Sequence, residues 1–264
     1  MTDERPFVRV DDVTRTYGGV AVLTDVSFDV RAGITAVIGP NGSGKSTLLR
    51  TIVGDTAPTD GTVRYHGPTT ARPIGYLPQR ASFRGSFTAR ETLAFYARLL
   101  DETPDGYLER VGLSDAADRS VEDLSGGMRR LLGIAQATIG DPPVLVLDEP
   151  TSGLDPGMRE RIFELAGQYA DTDAGVNATT DTEANAAVVV STHDLELVDR
   201  YADRVLCLRH GAVAASGPLS AVYADHDVDT AADLYRSVVP GASSVADPAT
   251  DSAESVHVTG VSTR

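Results

Sequence analysis

The sequence predicts an α/β protein with a parallel central sheet. The continuous aliphatic segments "PPVLVLDEP" and "AAVVVSTH" are typical of strands that are buried on both faces. Segments with apolar residues at helical spacing alternate with such strands along the chain, which is the pattern of a parallel sheet covered by helices. A helical block at about residues 88–140 interrupts this alternation, and we interpret it as an inserted helical subdomain.

The elements follow in order from an N-terminal β-rich section. Strands are predicted in "FVRVDDV", "AVLTDVSFDV" and "ITAVIG", and a helix in "KSTLLRTIVG" ends at Gly54, a residue type that often terminates helices. Two short strands, "GTVRYHG" and "IGYLPQ", precede the helical block. After "PPVLVLDEP" come the helix "GMRERIFELAGQYA", the strand "AAVVVSTH", the helix "DLELVDRYA" and a strand pair, "RVLCLRHG" and "AVAASG". Residues 171–186 are predicted to form an exposed loop insertion, and residues 240–264 a disordered tail.

Composition excludes several classes of protein. A chain of 264 residues has room for a large core, and its formal charge of −15 argues against a nucleic-acid-binding surface, which would be basic. No apolar run is long enough to span a membrane, and the charged N-terminus "MTDERPF" lacks the apolar region of a signal peptide. The single cysteine, Cys207, cannot form an internal disulfide. We therefore expect a cytoplasmic protein.

The kind of charge is also informative. Asp outnumbers Glu more than two to one, and Lys45 is the only lysine. Such an acidic, lysine-poor composition resembles that of proteins from halophilic archaea, in which high salt screens the repulsion between carboxylates. Drift in a GC-rich genome is the alternative, because it also replaces lysine by arginine. Under either explanation, a lysine that is retained alone is expected to have a chemical role.

The segment "GPNGSGKST" fits the pattern GxxxxGK[ST] and lies between a predicted strand and a predicted helix, as a phosphate-binding loop requires. Its glycines allow backbone N–H groups to converge on phosphate oxygens, the lysine reaches the terminal phosphates, and the serine after it can bind Mg²⁺. The alternative is a chance glycine-rich turn. The predicted nucleotide-binding residues are Gly39, Pro40, Asn41, Gly42, Ser43, Gly44, Lys45, Ser46 and Thr47.

The strand "VLVLDEP" supplies two carboxylates at the strand end where parallel sheets bind ligands. Asp148 is placed to hold Mg²⁺, directly or through a water molecule. Glu149 follows it and is placed to polarise a water molecule that attacks the terminal phosphate. An acidic strand-to-loop turn before Pro150 is the alternative, and it is weak beside the phosphate-binding loop.

A second helix N-terminus raises a separate question. Ser125 is a good N-cap for "GGMRRLLGIAQATI", and the first turn of that helix is bare because of Gly126 and Gly127. These glycines either permit close packing or leave the helix end open to another phosphate surface. With one nucleotide already in the first loop, the second reading requires ATP sandwiched between two protomers.

Taken together, these motifs resemble the nucleotide-binding subunit of an ATP-binding cassette (ABC) transporter over about residues 6–225. The resemblance adds "LPQ" as the Q-loop, "SGLD" as the D-loop at residues 152–155, and "STHD" as the switch motif. It implies a P-loop NTPase (RecA-like) core with an N-terminal antiparallel β subdomain. It also implies an ATP-binding domain at 6–239, including a helical subdomain at about 81–141, and two such domains closed head-to-tail over two ATPs.

The resemblance also implies roles for individual residues. Tyr17 stacks on adenine, Gln79 senses Mg²⁺ and the attacking water, and His193 donates a hydrogen bond to the terminal phosphate. Ser125, Gly126 and Gly127 contact the ATP of the opposite protomer, and Asp155 relays the state of one site to the other. Catalysis is thus assigned to Lys45, Gln79, Glu149 and His193, and Mg²⁺ binding to Ser46, Gln79 and Asp148. Met128 departs from the family pattern, which usually has Gln after the two glycines.

The motifs leave three functions to distinguish. The first is the ATPase of a transporter, most similar to exporters of drugs, ions or heme, with a separate multi-span membrane permease and a second copy of the chain as partners. In that case the permease would hold this subunit at the inner face of the cell membrane, and no nucleic acid is expected as a partner. A soluble ABC ATPase acting on ribosomes or DNA is the alternative, disfavoured by a single acidic cassette. The third function, that of a P-loop kinase or GTPase outside the ABC family, would leave the "LSGG" motif unexplained.

Two aromatic residues directly after the Q-loop segment lack an obvious core face. Phe83 and Phe87 lie in "QRASFRGSFTAR". They either pack beneath the helix that begins near Thr88 or form the rim of a groove that binds a cytoplasmic helix of the permease.

Overall fold

A computed structural model describes residues 5–171 and 186–239. The strands are β1 (Val8–Tyr17), β2 (Val20–Val30), β3 (Gly33–Ile38), β4 (Asp60–Tyr65), β5 (Ile74–Leu77), β6 (Val144–Asp148), β7 (Ala187–Ser191), β8 (Arg204–Arg209) and β9 (Ala212–Pro218). The α-helices are α1 (Lys45–Ile52), α2 (Ala89–Ala97), α3 (Asp105–Arg110), α4 (Gly126–Thr138), α5 (Pro156–Ala170), α6 (Leu195–Tyr201), α7 (Leu219–His226) and α8 (Ala231–Val238).

The central sheet has the order β5-β6-β7-β3-β8-β9, in which β9 alone runs antiparallel to its neighbour. This confirms the predicted α/β fold with a parallel central sheet. Each of the strands β3, β6 and β7 divides its side chains between two apolar clusters, as alternation along a strand requires. In β6, for example, Leu145 and Leu147 face the cluster shared with α4 and α5, whereas Val144 and Val146 face the cluster shared with α1.

The N-terminal strands β1, β2 and β4 form a separate antiparallel sheet of order β2-β1-β4. The imperfect alternation of β2 has a local cause, because the register with β1 shifts near Asp12 and Asp25. Both residues have φ of 49°, and the Ser27 side chain bridges to Asp12 through its backbone N–H and carboxylate, each at 2.8 Å. These bulges move Leu23 and Val26 onto the same buried face although three positions separate them.

The helical block lies between β5 and β6 in the chain, as predicted. Its first helix, α2, starts with a capping box, in which Thr88 Oγ1 accepts from Glu91 N at 3.0 Å and Glu91 Oε2 accepts from Thr88 N at 2.9 Å. Helix α4 packs closely on β5, because a Cβ atom added to Gly133 would lie 2.6 Å from Leu77 Cδ1. The bounds of this subdomain, about 81–141, and of the 6–239 domain remain predictions.

Helices α7 and α8 extend the fold beyond the elements that were expected from the sequence. Thr230 caps α8 by accepting a hydrogen bond from Asp233 N at 3.1 Å, and Leu234 is fully buried. The predicted loop insertion at 171–186 lies almost entirely outside the described residues, and the predicted tail at 240–264 lies wholly outside them. Within residues 5–171 and 186–239, no helix combines the length and hydropathy of a membrane span.

Candidate functional site

The phosphate-binding loop, residues 39–47, connects the carboxyl end of β3 to α1. Its tight course depends on glycine: Gly39 has φ of 152° and Gly44 has φ of 102°. A Cβ atom at Gly39 would lie 2.3 Å from Leu208 O, so another residue there would clash with the neighbouring strand. The sequence thus folds this segment into a loop whose backbone can approach a ligand closely.

Lys45 is the first residue of α1, and its side chain folds back over the loop. Its Nζ donates to Gly39 O at 2.8 Å and to Pro40 O at 3.2 Å. Burial lowers the pKa of the Lys45 ammonium, against the opposing effect of the Glu149 and Asp148 carboxylates. A buried ammonium whose hydrogen bonds go to uncharged carbonyl oxygens, in a loop that is otherwise partly open to solvent, is well placed to bind an anion.

A second observation also indicates that the loop can bind a polyphosphate. The hydroxyl oxygen of Ser43 is buried and has no hydrogen-bond partner within the described residues. A buried polar atom without a partner is costly, and a phosphate oxygen would satisfy it. Asn41 and Gly42 next to it are exposed, so the loop is open to a ligand from solvent.

Asp148 ends β6 and faces Ser46 across the sheet edge. Ser46 Oγ donates to Asp148 Oδ1 at 3.1 Å, and Ser191 Oγ donates to the same oxygen at 2.8 Å. Burial raises the pKa of Asp148, while the hydrogen bonds from Ser191 and Ser46 act in the opposite direction. A carboxylate and a hydroxyl in contact beside a phosphate loop are the oxygen ligands that Mg²⁺ prefers, so these residues fit that ion.

Side chains from two other loops contact the carboxylate of Glu149. Gln79, after β5, donates from Nε2 to Glu149 Oε2 at 2.7 Å, and His193 Nε2, after β7, lies 3.2 Å from Glu149 Oε1. The Glu149 backbone has φ of 45°, a conformation that non-glycine residues rarely adopt, and its N–H donates to Ser191 Oγ at 2.8 Å. The structure therefore brings together three of the four residues predicted to be catalytic, next to the loop that carries the fourth.

Tyr17 is separate from this cluster. It ends β1, its side chain is exposed, and the Arg15 guanidinium lies 4.4 Å from its ring centroid. The hydrogen bond with Arg15 lowers the pKa of the Tyr17 hydroxyl, and one with Thr56, in the segment after α1, adds to the shift. The ring is thus held by Arg15 in the described chain, and its predicted stacking on adenine stays a prediction.

The "LSGG" segment forms the predicted capped helix start. Ser125 Oγ accepts a hydrogen bond from Met128 N at 3.2 Å, and Ser125 and Gly126 are exposed. Gly127 allows close packing, because a Cβ atom there would lie 3.0 Å from Met158 Cε of α5. Met128 itself packs on the apolar cluster of α4 and α5, so its departure from the family pattern places an apolar side chain against the core.

Asp155, the last residue of the predicted D-loop, caps α5. Its Oδ1 accepts from Met158 N at 3.1 Å, and Pro156 occupies the first helical position. Among the described residues, Asp155 and Ser125 form hydrogen bonds only at the starts of their own helices and none with Glu149. Their predicted contact with the ATP of an opposite protomer is not tested by a single chain.

Several functional contacts were not identified from the sequence. Ser191, fully buried at the end of β7, bonds both Asp148 and the Glu149 backbone. Arg130 of α4 donates from Nη1 to Gln79 O at 3.1 Å and so connects the signature helix to the Q-loop. The serine could have been found because it ends an aliphatic strand; the arginine gives no such signal within "GGMRRLLG".

Comparison with known proteins gives a consistent result. Residues 23–152 match the family model described as "ABC transporter". The chain is 36% identical over 234 residues to the Nod factor export ATP-binding protein I of Rhizobium etli, covering 82% of this chain and 70% of that protein. It is also 36% identical over 220 residues to the zinc import ATP-binding protein ZnuC of Halorhodospira halophila, covering 82% of this chain and 79% of that protein.

Solved structures agree with the sequence relatives. An ATP-binding subunit of an ABC transporter superposes with a TM-score of 0.72 at 26% identity, covering 88% of this chain and 99% of that one. A bacterial ABC transporter cassette solved as a dimer superposes with a TM-score of 0.68 at 25% identity, covering 80% of this chain and 98% of that one.

Proposed function

Because this chain belongs to the ABC transporter family, as an ATP-binding subunit with ATPase activity, we propose that two copies of it close head-to-tail over ATP. Each ATP lies between the phosphate-binding loop of one copy and the "LSGG" turn of the other. Closure and hydrolysis drive transport through a separate membrane permease.

The observation that carries this proposal is the convergence of Gln79 and His193 on Glu149. These side chains follow the ends of three different strands, and the amide of Gln79 and the imidazole of His193 each lie within hydrogen-bond distance of the Glu149 carboxylate. Glu149 would accept a proton from, or orient, the attacking water, and His193 would donate toward the charge that develops on the terminal phosphate. Lys45 binds the phosphates. Bound through Ser46 and Asp148, Mg²⁺ would supply charge neutralisation at the phosphate oxygens.

The "LSGG" turn supports the sandwich because of what it exposes. Ser125 and Gly126 are open to solvent and the first turn of α4 carries no acidic residue, so its N–H groups, apart from that of Met128, are available to an anion. Within the same chain, the side chains that contact Glu149 are those of Gln79 and His193, not those of the "LSGG" turn. A phosphate bound to a second protomer would therefore account for the exposure of this helix end. Packing of Gly127 on Met158 accounts for that glycine but not for the exposure of Ser125 and Gly126.

Glu149→Gln tests the proposal. The amide keeps the size and hydrogen-bonding reach of the side chain but cannot accept a proton, so ATP turnover is expected to fall by about 10²–10⁴. ATP binding should persist, and the ATP-bound dimer should accumulate on gel filtration. Glu109→Gln, an exposed change on α3, is the control and should behave as wild type. Near wild-type turnover in Glu149→Gln would show that another group activates the water.

We propose export as the direction of transport. The relative from Rhizobium etli is named for export, and the segment "GGMRRLLGIAQATIGDPPVLVLDEPTSGLDP" resembles exporter subunits, although the equally similar ZnuC is named for import. ATP added to inverted membrane vesicles that contain the complete transporter should drive cargo into the lumen. ATP-driven loss of cargo from the lumen would indicate import instead. The acidic single cassette gives no support to action on ribosomes or DNA.

A further inference from the structure

The D-loop and the switch motif are connected within one chain by a side chain outside both motifs. Arg159, in the first turn of α5, extends back over the start of its own helix. Its Nε donates to Leu154 O of the D-loop at 2.7 Å, and its Nη1 donates to Asp194 Oδ1, directly after His193, at 3.0 Å. The planar guanidinium thus uses two of its fixed N–H directions on two different loops.

Asp194 extends this connection to the segment after Glu149. Its second oxygen, Oδ2, accepts a short hydrogen bond from the hydroxyl of Thr151, a residue that is 4% exposed. Its backbone N–H donates to Thr192 Oγ1 at 3.0 Å. The Asp194 carboxylate is therefore shared between a buried threonine beside Pro150 and Arg159, and the conformation on the C-terminal side of His193 depends on both.

The His193 ring has little else to hold it. Its side chain is 46% exposed and its contact within the described residues is with Glu149. The position of the ring is therefore determined largely by the backbone of residues 192–194. Thr192 N donates to Val37 O at 3.2 Å and anchors one side of this segment to β3. On the other side, the Asp194 backbone carbonyl accepts hydrogen bonds from the start of α6, and the Asp194 side chain is anchored by Thr151 and Arg159.

We propose that Arg159 is a positioning residue that couples the D-loop to His193 within one chain. A displacement of residues 152–155 on dimer closure moves Leu154 O, the guanidinium follows it, and Asp194 transmits the shift to the backbone of His193. This inference rests on the proposed dimer, because only a partner protomer would move the D-loop. Arg159 itself touches neither the phosphate-binding loop nor Glu149 among the contacts of the described residues.

If Arg159 had a purely structural role, its substitution would lower kcat and the thermal midpoint together. The positioning role predicts a fall in kcat alone. The side chains of Arg159 and Asp194 are 41% and 21% exposed, and ion pairs of this exposure contribute little to folding stability. Arg159→Gln should therefore leave the thermal midpoint nearly unchanged. Misplacing a group that acts in the transition state can lower turnover by up to about 10². We expect kcat for ATP to fall about 10- to 100-fold, with KM for ATP changed by less than about twofold.

Arg161→Gln is the matched control, since it removes the same charge from the same helix and, within the described part of the chain, breaks a surface pair with Glu164. Asp194→Asn should lower kcat to a similar extent, and the double variant Arg159→Gln/Asp194→Asn should be no slower than the slower single variant. Independent, multiplicative losses would overturn the proposal. So would unchanged kcat in Arg159→Gln, or a fall in kcat that follows a fall in thermal midpoint.

One further measurement separates this inference from the proposed function. In the Glu149→Gln background, Arg159→Gln should still form the ATP-bound dimer, because the phosphate-binding loop and the "LSGG" turn are intact. A dimer lost only with Arg159→Gln overturns the coupling role and assigns this residue to closure. A Glu149→Gln protein that forms no dimer with Arg159 intact contradicts the proposed function itself.

Discussion

The two aromatic residues after the Q-loop segment have different environments, and this yields a prediction that separates stability from docking. The Phe83 ring packs on the apolar cluster of α4 and α5, and its Cζ lies 3.7 Å from the position of a methyl group on Gly133. Phe87 joins neither apolar cluster of the described residues; the Arg84 guanidinium lies 4.8 Å from its ring centroid. Phe83 thus packs against the core, whereas Phe87, which is also partly buried, lies outside both apolar clusters of the described residues.

The expected magnitudes differ accordingly. Truncating a fully buried Phe to Ala costs about 3–5 kcal/mol, and Phe83 is half-buried, so Phe83→Ala should cost about 2 kcal/mol. For a domain of this size, that lowers the thermal midpoint by about 4–8 °C. Phe87→Ala removes a cation–π contact at a partly exposed site, worth about 0.5–1 kcal/mol, so the midpoint should fall by at most about 4 °C.

The two variants are compared in thermal melts and in co-purification with the membrane subunit. Phe87→Ala should weaken co-purification while the isolated protein still binds ATP normally, because a partly exposed ring beside Arg84 that joins neither apolar cluster of the described residues is available to a partner helix. Phe83→Ala should show the larger loss of stability. If Phe87→Ala lowers the midpoint as much as Phe83→Ala and docking is unaffected, Phe87 is a core residue and the groove hypothesis is wrong.

Three further predictions concern the dimer, the salt response and the single thiol. Ser125→Arg in the Glu149→Gln background should abolish the ATP-bound dimer on gel filtration while monomer affinity for ATP persists; a normal dimer would refute the sandwich. The thermal midpoint should rise steeply with KCl toward molar concentration, because salt screens the net charge of −15; a flat response favours genome composition. Burial raises the pKa of Cys207 from 9.0 to about 12, so alkylation at pH 8 should require unfolding. Ionisation of the unfolded thiol should also lower stability as the pH rises above about 9; rapid labelling of the folded protein would contradict this.

Much of the fold could be predicted because its signals are local. The aliphatic runs of β6 and β7 identify strands buried on both faces, and Ser125 with the glycines after it identifies the start of α4. The β2 strand was harder, because bulges near Asp12 and Asp25 break the period of two that alternation relies on. Helix α8 is not evident from the sequence, although Thr230 and Asp233 provide a capping signal, because its eight residues bury only Ala231 and Leu234.

The site was predictable to the extent that its residues lie in contiguous motifs. Lys45, Asp148 and Glu149 each stand at a fixed offset from a strand end, so chemistry alone indicates the roles proposed for them. Arg130 and Arg159 have no such offset. Their partners are backbone carbonyls and a carboxylate of other loops, and a single sequence does not show which loop a long arginine side chain will reach.

The order of strands explains why residues far apart in the chain share one site. In the spatial order β5-β6-β7-β3, the loops after the first three strands carry Gln79, Glu149 and His193. The phosphate-binding loop after β3 leads into α1, which begins at Lys45. Because these strands are parallel, all four loops emerge at one edge, and each neighbour can contact the next. Gln79 bonds Glu149 across β5 and β6 although 70 positions separate them, and Ser191 joins β7 to β6 through Asp148. A change in any one loop is therefore felt by its neighbours, which is the property that an ATPase coupling hydrolysis to movement requires.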